Sequence, residues 1–105
     1  MNEQDTMAIV KECADLFYQN SEKAAYESLA GIIPQLNQKL QELTRWLVQI
    51  PEQTGAEMQQ KVLADLRELI TAYQYRDGMA LADLLYYDIF EEIELLEKLK
   101  QGAGQ

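Results

Sequence analysis

Residues 22–50 read EKAAYESLAGIIPQLNQKLQELTRWLVQI. Tyr26, Leu29, Ile33, Leu36, Leu40, Leu43, Leu47 and Ile50 recur there in alternating steps of three and four. An α-helix turns about 100° per residue, so this spacing holds all of these side chains on one stripe. An unbroken heptad seam of this kind is the pattern of helices crossing at a shallow, left-handed angle. Pro34 falls on the opposite face and removes one backbone hydrogen bond, so a local kink rather than a break is expected. Gly31, one turn earlier, softens the same place.

Three further stripes lie on either side. Residues 4–19 carry Ile9, Val10, Cys13, Leu16 and Phe17 on one face. If one straight helix ran from residue 4 to residue 50, this stripe would centre about 110° from the second. A turn near "QNSE" (residues 19–22) is therefore predicted, with Asn20 or Ser21 as cap. "PEQTG" (51–55) ends the second helix, because Pro51 disfavours helix at Ile50 and Gly55 suits a turn. Thr54 would cap a third helix bearing Val62, Leu63, Leu66, Leu69, Ile70 and Tyr73. "RDG" (76–78) makes the next turn, with Gly78 free to adopt a left-handed conformation. A fourth helix runs to Lys100, with Lys98 and Lys100 suited to the negative end of its dipole. "QGAGQ" is a frayed tail.

The expected fold is all-α: an up-and-down four-helix bundle with left-handed, heptad-like packing and a shorter first helix. A single domain over residues 1–105 has helices at about 4–19, 22–50, 55–76 and 78–100. The alternative is a three-helix core with the first helix detached onto a partner.

Composition bounds the function. The chain has 105 residues and a net charge of −9, which disfavours nucleic acid and anionic membranes as partners. Every arginine (Arg45, Arg67, Arg76) lies in residues 28–76, where the five acids and five bases balance, while both ends are acidic. The single Cys13 fits a reducing compartment, and no leader or apolar run of spanning length is seen. A cytoplasmic protein is expected. The absence of histidine removes the commonest general base and metal ligand, and any Ser-His or Cys-His pair. No phosphate-cradling glycine motif occurs. No cofactor and no metal are expected, and Cys13 reads as a small buried hydrophobe.

Carboxylates remain, in "MALADLLYYDIFEEIELLEKLK" (79–100). On a straight wheel Leu85, Ile89, Leu96 and Leu99 form the inner stripe. Ala82, Tyr86 and Ile93 make one flank, and Leu81, Leu84 and Leu95 the other. Glu92 falls inside the stripe, with Asp88 beside it, one turn away. The apolar arc spans about 220°, twice what one core requires. The surplus flank calls for a second neighbour, which in a homodimer would be the twofold mate. Leu81, Leu84, Asp88, Glu92 and Leu95 are the interface candidates, and Arg45, Arg67 or Arg76 the ion-pair partners the acids would need. Tyr26, Tyr73 and Tyr86 read as packing with a polar tip. Trp46, Tyr75, Tyr87 and Phe90 point away from the stripes, as interface aromatics do.

Two stretches carry a resemblance. "AAYESLAGIIPQL" is similar to a Tyr-x-x-Leu-x-x-Gly-Ile pattern at Tyr26, Leu29, Gly31 and Ile32, with one residue fewer between Leu and Gly. "YRDGMALADLLYYDIFEEI" resembles Lys/Arg-Asp followed by Leu-Ala-Asp-Leu-Leu-x-Tyr-Glu-Ile, with Asp88 where Glu is usual. Both patterns belong to a group of small, uncharacterised all-helical proteins of Gram-positive bacteria. The resemblance covers about a third of the chain and marks Arg76, Asp77, Asp83, Tyr87 and Asp88. It implies a helical bundle and carries over no catalytic residue.

The functional expectation is a non-enzymatic bundle working through protein contact, as a homodimer. The rival is a secretion- or flagellum-type chaperone whose groove holds an amphipathic helix of a client protein.

Overall fold

The structure is a computed structural model that describes residues 2–50 and 53–103. All regular elements among them are helical. Helix α1 spans Glu3–Tyr18, α2 Glu22–Val48 and α3 Gln53–Gln74. The fourth helix is continuous but not uniform. It begins as α4 (Gly78–Asp83), widens into a π-helical segment (Leu84–Ile89) and resumes as α5 (Phe90–Ala103). Four helices thus pack into a body of 41 × 25 × 19 Å. At 1.5 Å per residue the 27 residues of α2 measure about 40 Å, the full long dimension.

The predicted turn after the first helix is present, and its geometry explains the stop. Asn20 takes a left-handed conformation, φ 61°. Its N–H donates to the carbonyl of Phe17, and that of Ser21 donates to Leu16, closing a Schellman cap. Ser21 holds the N-cap position of α2 without a side-chain bond to the helix. The turn after α3 repeats the motif, with a correction. Arg76 takes the left-handed position, φ 57°, and no described glycine has positive φ. The N–H groups of Arg76 and Asp77 donate back to Tyr73 and Ala72, and Asp77 caps α4 by accepting from the N–H of Ala80. Stacking offsets the backbone strain of a non-glycine residue here. The Arg76 guanidinium lies 4.4 Å from the ring centre of Tyr26 and 5.9 Å from that of Tyr73.

Other boundaries shift modestly. α2 runs unbroken through Pro34 and stops at Val48, two residues short of the expected Ile50. Pro51 lies outside the described residues. α3 is already helical at Gln53, so Thr54 lies within it rather than capping it. α5 continues to Ala103, which takes in the start of the expected tail; residues 104–105 lie outside the described residues.

The core is built from all four helices. Val10, Cys13, Ala14 and Phe17 of α1 are buried, so the first helix packs on its own chain. α2 contributes Leu29, Leu36, Leu40, Leu43 and Leu47 from its seam. On α3 only part of the expected stripe is inside: Val62 and Leu69 are buried, while Leu63 and Ile70 are exposed. α1 packs against α2 and the whole length of the fourth helix. α3 packs against α2, α4 and the π segment, with little backbone approach to α5.

The π segment has a cause in the sequence. Leu81, Leu85, Ile89 and Ile93 are all fully buried and stand four residues apart. Four residues of α-helix overshoot a full turn by about 40°, so three such steps would carry Ile93 about 120° off the core. A π turn takes extra residues per revolution and absorbs that drift. It keeps the two halves of the fourth helix facing one core, which a straight wheel cannot do.

Gly55 marks a close approach of two backbone segments. A Cβ added there would lie 2.7 Å from the carbonyl oxygen of Ile50 and 2.9 Å from that of Leu47. Backbone cannot yield as a side-chain tip can. Gly31, by contrast, has nothing within 4 Å of the added Cβ and is exposed on α2. Gly55→Ala should therefore destabilise by about 1–3 kcal/mol in urea unfolding. Gly31→Ala should stabilise by about 0.5–1 kcal/mol.

Candidate functional site

The acids of the fourth helix meet a cation, but not one of the arginines. Lys61 of α3 reaches across with its Nζ 2.7 Å from Asp65 Oδ2, 3.1 Å from Asp88 Oδ1 and 3.2 Å from Glu92 Oε2. Arg76 is instead stacked on Tyr26, and Arg45 and Arg67 are exposed. Glu92 faces inward and Asp88 stays partly open, and their lysine partner is not among the expected cations. Lys61 stands one position before the apolar stripe of α3. Its long, snorkelling side chain spans the gap between that edge and Glu92.

The four groups are unequally wet. Glu92 is 2% exposed and Asp65 8%, whereas Asp88 and Lys61 stay partly open to water. Burial pushes the Glu92 carboxyl up to about 9, and Asp65 beside it pushes the same way against the pull of Lys61. Glu92 therefore holds its proton at neutral pH and still accepts from Lys61 through Oε2. Its Oε1 is buried with no donor facing it. The acids surrounding Lys61 hold its ammonium well above the ordinary lysine range, although burial opposes this. One cation thus faces three acidic side chains.

The interface candidates separate once the chain folds. Leu81 is fully buried and Leu84 is 2% exposed, both inside the chain's own core. The second neighbour demanded by the wide apolar arc is supplied within the same molecule, because α1 and α3 flank the fourth helix on two sides. Leu81 and Leu84 are thereby corrected from interface to core. Leu95 remains half-buried.

Leu95 lines a groove of about 410 Å³ near the open end of α3. Leu47 of α2, Ile50 just beyond its end and Met58 of α3 form its other apolar walls. Glu57 and Lys61 line it as well, and the close approach at Gly55 forms part of its surface. The groove exists because α3 leaves α5 while α2 stays with both neighbours. Lys61 joins groove and acid cluster into one surface.

The aromatics sort differently from expectation. Trp46 and Phe90 are half-buried against the core, and Tyr86 is 39% exposed. Tyr75 and Tyr87 point outward as expected, 80% and 59% exposed. Tyr26 packs edge-on to Phe17 with centroids 4.9 Å apart. The Tyr18 hydroxyl donates to Asp83, and that bond pushes its pKa up to about 12.

Elsewhere the ionisable groups fasten helices together. Glu3 Oε1 lies 2.8 Å from Lys100 Nζ and 3.4 Å from Lys39 Nζ, tying the start of α1 to α5 and α2. Burial works against the Glu3 charge, yet the Lys100 hydrogen bond, its own backbone and Lys39 hold the carboxyl below its usual range. Cys13 is buried and donates to the carbonyl of Ala25 at 3.5 Å, and burial pushes its thiol up to about 11. No described group of three or more Cys, Asp or Glu is placed to hold a metal ion. No described helix is long and apolar enough to cross a membrane.

Glu92 generates a pH prediction. The folded chain keeps this proton between about pH 4.5 and about 9, where the unfolded chain has released it. Stability contributed by the raised pKa is therefore complete below that window and is lost as pH rises through it. Glu92→Gln keeps the group neutral and offers an amide donor toward Asp65. Urea midpoints at pH 5, 7 and 9 should show a flatter profile for the variant, with a gain of about 1–3 kcal/mol at the alkaline end. A slope unchanged by the substitution would place the titration elsewhere.

Comparison with protein-family models, with curated proteins and with solved structures finds no match to this chain.

Proposed function

We propose that the protein is a non-enzymatic helical bundle that works by protein contact, holding an apolar segment of a partner in the groove between α2, α3 and α5. The observation that carries this reading is the position of Leu95. Of the three leucines that overflow the fourth helix's stripe, it alone stays partly open, and it lines the groove with Leu47, Ile50 and Met58. Concave apolar surface beside a few polar groups is where partners and ligands bind. The client-binding reading is thereby favoured over the homodimer. A homodimer would have to use Leu95 or the exposed Tyr86 and Tyr87 in place of Leu81 and Leu84.

The same reading takes the four helices as an up-and-down bundle with left-handed, heptad-like packing, supported by the buried Leu36, Leu40, Leu43 and Leu47 at steps of four, three and four. It places the protein in a reducing, cytoplasmic setting, supported by the free, buried Cys13. The likeness of residues 75–93 to helical proteins of Gram-positive bacteria supports a bacterial bundle whose surface, rather than any reactive group, does the work.

Substitution separates groove from core. Leu95→Gln should leave the melting temperature within a few degrees while abolishing recovery of the partner that co-purifies with the unaltered chain. Leu81→Ala, in the core, should cost about 2–5 kcal/mol. Retention of the same partner by a folded Leu95→Gln chain would sink the groove reading. Sedimentation over the micromolar range decides the homodimer, which a monomer throughout would eliminate.

A further inference from the structure

The groove and the acid cluster share Lys61, and together they constrain what can lie there. The apolar walls accept a few aliphatic or aromatic side chains and say nothing about the polar face of the segment that carries them. The charges do. Lys61 is the one cation bound by the cluster, and it is already shared among Asp65, Asp88 and Glu92. Three acidic side chains share this one lysine, so the acids of the cluster outnumber its cation. Asp88 keeps 40% of its side chain open, and Glu57 stands exposed among the groove residues. The chain as a whole carries −9.

An acidic segment laid in this groove would bring carboxylates against Asp88 and Glu57. A second copy of this chain would bring another −9 with it, and anionic lipid or nucleic acid would be repelled in the same way. We infer that the occupant is a basic amphipathic helix of another protein. Its apolar face fills the space between Leu47, Ile50, Met58 and Leu95. Its lysine or arginine side chains, one turn away, meet Asp88 and Glu57. This rests on the protein-contact reading and adds the partner's charge to it. Such a helix needs apolar anchors at spacings of three and four with cations beside them. Opposite charge at the rim speeds encounter and rejects acidic competitors, while the groove supplies the slower dissociation.

The test uses the full chain and two labelled helical peptides with the same leucine face, one bearing lysine and one glutamate on the polar face. Fluorescence anisotropy is read at low and at high salt. The lysine peptide should bind at least about tenfold more tightly than the glutamate peptide, and the difference should shrink at high salt. Asp88→Asn, which leaves Lys61 its contacts with Asp65 and Glu92, should weaken the lysine peptide about three- to tenfold. Leu95→Gln should abolish binding of both peptides without altering net charge. Melting curves confirm that each variant is folded, and Glu57→Gln at the exposed rim replaces Asp88→Asn if the latter is not. Equal binding of the two peptides, unaffected by Asp88→Asn but lost in Leu95→Gln, overturns the charge inference and leaves the groove standing. Binding of the lysine peptide that survives Leu95→Gln overturns the inference, because attraction to an acidic chain alone then explains it. No binding of either peptide overturns groove and inference together.

Discussion

Everything in this fold depends on the fourth helix burying side chains along its whole length against neighbours on several sides. Leu81, Leu85, Ile89 and Ile93 stand at a spacing of four that a regular α-helix cannot keep on one face. The π segment at Leu84–Ile89 resolves the mismatch by rotating the second half back toward the core. The cost is a departure from regular α-helical hydrogen bonding over six residues. The return is two helix halves that share one interior, into which α1 and α3 can each pack from their own side.

That rotation also decides where the acids go. Glu92 lies in the interior almost without solvent, close enough to Lys61 and Asp65 to be held but not fully paired. Buried ionisable groups of this kind add little net stability, and a register that separates them from their partner is penalised heavily. The Lys61 cluster thus reads as a register pin between α3 and the fourth helix. Glu3 with Lys39 and Lys100 does the corresponding work for the first helix, tying α1 to α2 and α5. The two clusters differ in sign of effect: the Glu3 carboxyl is held charged, the Glu92 carboxyl is held neutral.

The proposed binding surface follows from the same geometry. α3 turns away from α5 while staying with α2, and the space it leaves is lined by Leu47, Ile50, Met58 and Leu95 together with Glu57 and Lys61. Gly55 lets the start of α3 lie close against the backbone at Leu47 and Ile50, and it lines the groove there. A functional surface built this way requires no reactive group. It requires only that four helices cannot all touch one another along their full lengths.

What the sequence by itself determined was the number of helices, the turn at Asn20, the burial of Leu29, Leu36, Leu40, Leu43 and Leu47, and the inward direction of Glu92, whereas Ile32 rather than the expected Ile33 is buried. Each follows from periodicity or local backbone chemistry within one segment, and so is legible from one segment. The left-handed residue of the third turn was misassigned to Gly78, because the Tyr26 and Tyr73 rings that stabilise Arg76 come from two different helices. Lys61 was not legible as the partner of Asp88 and Glu92, since its role depends on how α3 is rotated against the fourth helix. Leu81 and Leu84 looked surplus on a straight wheel, and became core when the π segment and the docking of α1 gave them neighbours. Only the tertiary structure decided these points, because each is a distance between helices, and the periodicity of one helix carries no information about the rotation of the next.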